Sequence, residues 1–484
     1  MHTMFKRYNF KTCGSIISIA ILMIAVGCKK TVTVADPITT ITTNQTFSSD
    51  QTAVQAVASI YNYLYNSNII NNLQFGNGAV TLFAGLSSDE LAFYVQTATA
   101  QVQFQNNALL PDNSLLSTKL WNPAYAVIYQ CNAAIEGLQS TSSNVSAATK
   151  TQLIAEAKFI RAYVHFYLTN LFGDIPLMVS TDYNTNRLIT KATQAKVYEQ
   201  IINDLTEAQN NLPTDFTPYG NYRNRATKDA ATALLARLYL YQGNWAAAET
   251  QSSTLIAASP RLSLVTTGLQ NVFAKNSTEA ILQLQVDSTV NPFAPVEGNQ
   301  VIPPATTVAP TYILTAGMVN SFELNDQRKA KWTNNYAYTT GGVTTTYYYP
   351  FKYNLYSGTS GNVLQYYMVL RLAEQYLIRA EARAQQNTNL AGAIGDLNTL
   401  RARAGLLPLL TTLTQTQTLA AVAQERKVEL FAEWGHRWLD LKRTGQAVSV
   451  LTPIKTGFTA TAQLYPIPVG EISANPNLIQ NVGY

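Results

Sequence analysis

Residues 147–177 read AATKTQLIAEAKFIRAYVHFYLTNLFGDIPL, and they carry the clearest periodic signal in the chain. Apolar side chains recur at steps of four and three, at Leu153, Ala157, Ile160, Val164, Tyr167 and Leu171. That spacing puts them on one face of an α-helix. Gly173 can adopt the left-handed conformation after a last turn, and Pro176 cannot continue a helix. The stretch therefore predicts one long amphipathic helix that ends at Gly173.

The same period recurs on both sides of this stretch. It predicts further helices from about Ser49, from near Trp121, and over Val197–Leu212, Lys228–Tyr241, Val369–Gln386, Leu390–Gly405 and Leu419–Leu441. A Gly turn at Gln242–Trp245 joins the helix Lys228–Tyr241 to another that begins at Ala246, with the small and aromatic residues of a tetratricopeptide-like unit. Because the period is irregular, we expect a mostly α fold with a few divergent helical hairpins.

The segment between Ser259 and Tyr367 has a different composition, rich in Thr, Pro, Gly and Tyr. Short alternating runs such as Ile281–Val286 predict strands between long loops. The run Tyr347–Tyr353 also predicts a strand, in which successive side chains point to opposite faces. We therefore expect an irregular region with short strands beside the helical hairpins.

The first 28 residues have the pattern of a bacterial lipoprotein leader. A basic start precedes an apolar run over Ile16–Val26, which is short for a membrane span, and then Gly27 and Cys28. Residues 1–27 are therefore predicted to be a signal peptide, and Cys28 is predicted to carry the lipid anchor, as the similarity of this stretch to a lipobox implies. Residues 28–48, rich in Thr and Val, are predicted to be a tether.

Composition argues against a nucleic-acid partner. The formal charge is +5, and removal of the three positive charges of the leader leaves +2. A nucleic-acid-binding chain would need a basic face or stripe. Of the three cysteines only Cys131 would remain unmodified, so no disulfide is expected, and a buried thiol acting as a small apolar side chain is the preferred interpretation.

Five motifs in a fixed order span nearly the whole chain. They are Glu156–Leu177, Ala233–Leu240, Leu370–Ala382 with Arg401–Gly405, Glu425–Leu430 with Gly435–Arg443, and Tyr465–Pro468 with the terminal Gly483-Tyr484. In order and spacing they resemble the SusD/RagB family of nutrient-binding outer-membrane lipoproteins. Trp434 departs from the commonest family pattern, because it lengthens the step from Glu433 to Gly435 by one residue.

The resemblance implies both an architecture and a role. It implies a SusD-like N-terminal helical region over 49–258 and a RagB/SusD C-terminal region over 259–484. It also implies that the protein is anchored at the outer membrane, with surface exposure expected, and captures an oligosaccharide for a SusC-like TonB-dependent transporter without catalysis. A peptide ligand, a lipoprotein hydrolase and a structural partner of the transporter remain alternatives.

The motif around Glu425 has the highest density of ionisable side chains. Glu425, Glu429, Glu433 and Arg437 recur at four-residue spacing, which is typical of a helix held by charge-assisted hydrogen bonds. We therefore predict a structural role for them. The sequence nominates no catalytic residue, no metal ligands and no cofactor, although it leaves open whether calcium is bound.

Aromatic side chains in loops are the candidates for ligand contact, because the apolar faces of sugar rings stack on aromatic rings while amides bond the hydroxyls. Family members build the ligand surface from loops of the amino-terminal half and the irregular middle region. Carried over by region, this resemblance gives the candidates Phe75, Phe93, Tyr94, Trp332, Asn334, Asn335, Tyr336 and Tyr338.

Overall fold

The computed structural model describes residues 43–66, 72–289 and 292–484. The predicted signal peptide, Cys28 and the tether as far as residue 42 lie outside the described residues. Phe47, near the predicted end of the tether, is buried. Its ring fills the space beside Gly137, where an added Cβ would lie 2.1 Å from Phe47 Cε2.

The chain is mostly helical, as predicted. The helices of the first half are α1 Thr43–Thr46, α2 Asp50–Asn66, α3 Ala79–Ser87, α4 Thr99–Gln105, α5 Asn122–Gln139, α6 Ala147–Phe172, α7 Tyr183–Asn186, α8 Gln194–Asn211, α9 Lys228–Tyr241 and α10 Trp245–Ile256. Those of the second half are α11 Val296–Val301, α12 Ala316–Val319, α13 Gln327–Trp332, α14 Leu372–Gln386, α15 Leu390–Arg403, α16 Gln415–Glu429, α17 His436–Arg443, α18 Ala447–Leu451 and α19 Val469–Ala474.

The strands are short and form antiparallel pairs. They are β1 Leu91–Phe93, β2 Ile175–Pro176, β3 Lys191–Ala192, β4 Ala280–Leu284, β5 Tyr312–Leu314, β6 Thr333–Thr340, β7 Val343–Pro350 and β8 Tyr367–Arg371. The pairs are β1 with β5, β2 with β3, β4 with β8, and β6 with β7. The first and third pairs join segments that are far apart in sequence.

Helix α6 runs through the centre of the fold, and its predicted extent and end are confirmed, although its second half is not amphipathic as predicted. It ends at Phe172, and Gly173 follows with φ +79°. Every residue from Phe159 to Phe172 is buried. Helices α5 and α8 pack on either side of it. A segment that is buried on all faces belongs in the middle of a core, whereas α14, α15 and α16 pack on one another in a second hydrophobic cluster.

Trp434 fixes the position of the C-terminal half against α6. Its ring centroid lies 5.2 Å from those of Tyr163 and Tyr167 on α6 and 5.3 Å from that of Tyr367 on β8. Its indole Nε1 donates to the carbonyl of Met368 at 2.7 Å. The residue that departs from the common family pattern therefore sits in the core and joins both halves of the chain.

The prediction of one helix over Leu419–Leu441 is wrong. Helix α16 ends at Glu429, and α17 begins at His436. Between them Ala432, Trp434 and Gly435 have φ values of +47°, +46° and +67°. Gly435 passes so close to α3 that a Cβ there would lie 2.5 Å from the Cβ of Ala84. The left-handed residues turn the chain between the two helices, and the close approach to Ala84 explains why residue 435 is glycine.

Candidate functional site

Four tyrosines from two distant parts of the chain meet beside the hairpin of β6 and β7. The hairpin forms because two threonine- and tyrosine-rich runs flank Gly341 and Gly342, whose φ values of +56° and +78° suit a two-residue turn. In the resulting register Tyr336 lies opposite Tyr347, and Tyr338 lies opposite Thr345. Alternation along a strand puts these side chains on one face of the hairpin.

Tyr94 is brought to this face by the strand before it. Its backbone N–H donates to Thr311 O at 2.9 Å, which continues the pairing of β1 with β5. Its ring meets that of Tyr347 edge to face, with centroids 5.2 Å apart and planes at 88°. We call Tyr94, Tyr336, Tyr338 and Tyr347 the tyrosine cluster.

The cluster is partly open to solvent and uncharged. Tyr338 is 45% exposed, and Tyr94, Tyr336 and Tyr347 are half-buried. Desolvation first, and then the neighbouring hydroxyls of Tyr347, Tyr336 and Tyr338, raise the pKa of Tyr94. Its hydroxyl therefore stays protonated at neutral pH, where it can both donate and accept a hydrogen bond.

Glutamine side chains hold the loop that carries Tyr94. Gln105 Oε1 accepts from the Phe93 N–H at 2.6 Å, and its amino group donates to Gln96 Oε1 at 3.2 Å. Gln96 in turn donates to the carbonyl of Phe93. These bonds hold both backbone polar groups of Phe93, the residue directly before Tyr94.

The predicted ligand residues separate into three groups. Tyr94, Tyr336 and Tyr338 come together in the cluster, and Asn334 lies on the same face of the hairpin, nearer its base. Asn335 is exposed on the opposite face. Tyr347 was not predicted to contact ligand, although strand alternation in the run from Tyr347 would have put it on the face away from Tyr348.

Phe75, Phe93 and Trp332 are core residues, so the prediction that they lie in exposed loops is wrong. They are 1%, 5% and 0% exposed. Phe75 packs edge to face on Tyr167, and Phe93 does so on Tyr312. Loop-like composition around each residue had suggested exposure, whereas contacts from distant parts of the chain bury all three.

Trp332 packs against a buried group of cations. Lys352 Nζ lies 4.8 Å from its ring centroid, and the guanidinium carbons of Arg403 and Arg371 lie 5.8 and 5.9 Å away. Its Nε1 donates to Leu269 O at 2.9 Å. Cations over an aromatic face are stabilised by the ring quadrupole. The Trp332 indole therefore makes its contacts within the protein core.

The same cations neutralise Glu429 and Glu433 of the motif at 425–433, and Arg328 neutralises Glu425. Arg371 bonds Glu429 at 2.6 Å, Glu279 at 3.0 Å and Glu433 at 2.7 Å, and Arg403 bonds Glu279 at 2.7 Å. Burial opposes ionisation of Glu429, but Arg403, Arg371 and Arg328 hold its pKa well below the ordinary value. The structural role predicted for these glutamates is confirmed.

Arg437 does not extend the glutamate row as predicted, because the chain turns between α16 and α17. It forms an ion pair with Asp89 instead, at 2.7 Å from Nε to Oδ1.

Cys131 is buried, and burial raises the pKa of its thiol. Within the described ranges, no three His, Cys, Asp or Glu side chains are grouped so that they could hold a metal ion.

Comparison with known proteins assigns the chain to a family. Residues 77–240 match the family described as "Starch-binding associating with outer membrane", and residues 305–484 match the SusD family. The chain belongs to the SusD/RagB family. The five sequence motifs therefore led to the correct family.

Individual relatives agree with this assignment. The SusD-like protein P2 of Formosa agariphila is 28% identical over 78% of this chain and 82% of its own length. A SusD superfamily protein from Bacteroides vulgatus superposes with a TM-score of 0.77 at 21% identity, covering 90% of this chain and 99% of its own. A laminarin-binding SusD-like protein gives a TM-score of 0.71 at 24% identity, covering 90% of this chain and 99% of its own.

The predicted fold of this SusD/RagB protein is thus confirmed at the level of architecture. The family is associated with the outer membrane. In the part of the chain that the structure covers, we find no helix with the length and apolar character needed to span a bilayer.

Proposed function

We propose that this SusD/RagB protein captures a neutral oligosaccharide on the tyrosine cluster and makes no chemical change to it. The observation that carries the proposal is the convergence of Tyr94 and Tyr347, edge to face at 5.2 Å, beside the cross-strand pair Tyr336 and Tyr347. Partly exposed aromatic side chains grouped in this way form a surface on which more than one sugar ring can stack.

The chemistry of the cluster suits a sugar without charge. The C–H faces of a pyranose are apolar and match the π faces of tyrosine rings, while the phenolic hydroxyls can bond the sugar hydroxyls. None of the four side chains carries a charge at neutral pH, so they provide no counter-ion for an acidic group. A similar fold is described as laminarin-binding, which makes laminarin oligosaccharides a suitable first probe.

We further propose that the captured glycan passes to a SusC-like TonB-dependent transporter in the outer membrane, and that a lipid on Cys28 anchors the protein there. Membership of the SusD/RagB family and its association with the outer membrane support both steps. Metabolic labelling with a palmitate analogue tests the anchor, because a Cys28→Ser variant should lose the label.

Two neighbouring tyrosines provide a matched test of the binding surface. Tyr347 belongs to the cluster, whereas Tyr348 lies on the other face of the same strand. The ring centroid of Tyr348 is 5.6 Å from Lys329 Nζ. Each should be replaced by Ala in the full chain purified in detergent, and laminarin oligosaccharide affinity should be measured by calorimetry. Loss of a stacking ring at the centre of a contact surface costs more than about 1 kcal/mol.

We therefore expect Tyr347→Ala to weaken binding by about tenfold, because about 1.4 kcal/mol corresponds to a factor of ten. Tyr348→Ala should leave affinity within about twofold of the starting protein. Equal losses in both variants would argue for a general effect on the hairpin. If the protein bound a mixed peptide library and no glycan, the ligand would be a peptide and not a saccharide.

A further inference from the structure

A second polar groove lies between the segments around residues 222 and 285. It consists of two neighbouring cavities of about 310 and 280 Å³, which share Gln285 and Ser288 in their walls. The first cavity contains Asn224, Arg225 and Asp287, and the second contains Tyr222, Lys275 and Tyr366. None of these residues belongs to the tyrosine cluster.

Lys275 is the distinctive side chain of this groove. Its Nζ lies 5.4 Å from the ring centroid of Tyr222 and 5.3 Å from that of Tyr366, so it stands between two aromatic rings. The Lys275 side chain is exposed, and Tyr222 is 41% exposed. Cation–π contacts with two rings restrain the ammonium group without neutralising its charge.

The charge of Lys275 has no counter-ion in the part of the chain that the structure describes, since no carboxylate there forms an ion pair with it. The neighbouring cation is different. Arg225 bonds Glu156 with both Nε and Nη2, at 2.9 and 2.8 Å, so its charge is compensated. One end of the groove is therefore electropositive.

Neutral hydrogen-bonding groups lie next to this positive end. Asn224 Nδ2 donates to Gln285 Oε1 at 2.7 Å and so holds the Gln285 side chain in place. The amino group of Gln285 then points away from Asn224. Asp287 lies in the first cavity, and its Oδ1 accepts from the backbone and hydroxyl of Thr289 at 2.7 and 2.6 Å. The negative charge of the Asp287 carboxylate repels an anion at that end of the groove. The carboxylate oxygens can instead accept hydrogen bonds from sugar hydroxyls.

We infer that this groove is a second saccharide site, which binds the carboxylate or sulfate of an acidic sugar unit at Lys275, between Tyr222 and Tyr366. The sugar hydroxyls would bond Gln285 and Asp287. A charge-assisted hydrogen bond from the ammonium provides the selectivity for an acidic unit, because such bonds are roughly twice as strong as neutral ones. The inference extends the proposed glycan capture and uses residues outside the tyrosine cluster.

The test compares Lys275→Met with Lys196→Met in the full chain. Both variants lose one positive charge and keep a long side chain, but Lys196 lies on α8 in an exposed pair with Glu199. The probes are trigalacturonate for a carboxylate, a sulfated galactan oligosaccharide for a sulfate ester, a laminarin oligosaccharide as the neutral sugar, and inorganic sulfate alone. Affinities are measured by calorimetry at low and high salt.

We expect one of the two acidic oligosaccharides to bind and to lose at least about tenfold in affinity in Lys275→Met, in line with about 1.5 kcal/mol or more for a hydrogen bond to a charged group. Lys196→Met should bind as the unchanged protein does. The probe that responds identifies carboxylate or sulfate as the recognised group, and weaker binding of inorganic sulfate would show that the sugar contributes.

The inference is overturned if neither acidic probe binds, if Lys275→Met and Lys196→Met bind equally well, or if inorganic sulfate binds as tightly as the oligosaccharides. These results are separable from failure of the proposed function. If laminarin oligosaccharide binding depends on Tyr347 but not on Lys275, the proposed glycan capture on the tyrosine cluster stands. If acidic sugars bind and their binding depends only on Lys275, the tyrosine cluster has no part in glycan capture.

Discussion

Arg371 and Glu429 meet at 2.6 Å from Nη1 to Oε1 and join strand β8 to the last residue of helix α16. The same guanidinium also donates to the carbonyl of Glu429 through Nη2 at 2.9 Å. Both side chains are buried, and so are their other charged partners, which are Glu279, Glu433, Arg328 and Arg403. The most charged motif of the sequence is therefore a connection inside the fold.

Glu429→Gln should destabilise the protein strongly without changing its shape. The substitution leaves Arg371, Arg403 and Arg328 with less compensating charge in a buried site, and loss of one partner from such a group costs about 3–5 kcal/mol. Urea unfolding followed by circular dichroism measures the change. Glu199→Gln removes an exposed partner and should cost less than about 1 kcal/mol; comparable losses in both variants would contradict the buried network.

Glu297 should make the protein less stable as the pH rises. Burial raises the pKa of its carboxyl to about 8, although Tyr367, which donates to Oε2 at 2.7 Å, opposes the shift. Because the folded pKa lies above the unfolded value, the stabilisation is complete below about pH 4 and is lost as the pH rises through about 8. Glu297→Gln cannot ionise there.

We therefore expect the unfolding free energy to decrease between pH 5 and pH 8 in the starting protein by about 3–4 kcal/mol more than in Glu297→Gln. Urea titrations at several pH values measure the difference, with Glu199→Gln as the control that should follow the starting protein. Parallel pH profiles for the starting protein and Glu297→Gln would show that Glu297 is ionised in the folded state near neutral pH.

Trp332→Ala should reduce stability and leave glycan affinity unchanged in the protein that remains folded. The substitution removes a fully buried indole and its contacts with Lys352, Arg371 and Arg403, and loss of a core aromatic costs about 3–5 kcal/mol. Thermal unfolding gives the loss of stability, and calorimetry well below the melting temperature gives the affinity. A variant that stays stable but binds glycan more weakly would show that Trp332 contacts the ligand.

Local sequence signals predicted those parts of the fold that local forces determine. Helix α6 needed only its own apolar period and Gly173 with Pro176 after it. The turn between Glu429 and His436 was missed because its residues pack against distant parts of the chain, as Gly435 does against Ala84. Similarly, Val369–Arg371 was predicted as the start of a helix but forms part of β8, since it pairs with β4.

The candidate site shows the same limit. The residues around Tyr94 and the hairpin were correctly chosen as aromatic segments outside the long helices, yet their meeting depends on the pairing of β1 with β5. The burial of Trp332 could not be predicted from its neighbours in sequence, because two of the cations that cover it, Arg371 and Arg403, come from β8 and α15.

Substitutions of Tyr336 should distinguish a sugar ligand from a peptide. Phenylalanine keeps the aromatic face and removes only the hydroxyl, so Tyr336→Phe should bind a laminarin oligosaccharide within about threefold of the starting protein, as expected for one hydrogen bond of about 0.5 kcal/mol. Leucine keeps an apolar side chain but has no π face. Tyr336→Leu should therefore weaken sugar binding by about tenfold, since aromatic contacts contribute up to about 1.5 kcal/mol beyond buried area.

A peptide bound through apolar contacts depends on buried area and would tolerate leucine nearly as well as phenylalanine. Calorimetry with the full chain measures both affinities, and Tyr183→Leu, which changes an exposed tyrosine outside the cluster, should leave them unaltered. If Tyr336→Leu and Tyr336→Phe bind the oligosaccharide equally well, stacking is not the basis of recognition. Sugar binding would then depend on the hydrogen-bonding groups around the cluster, with Asn334 and Gln96 as the next side chains to replace.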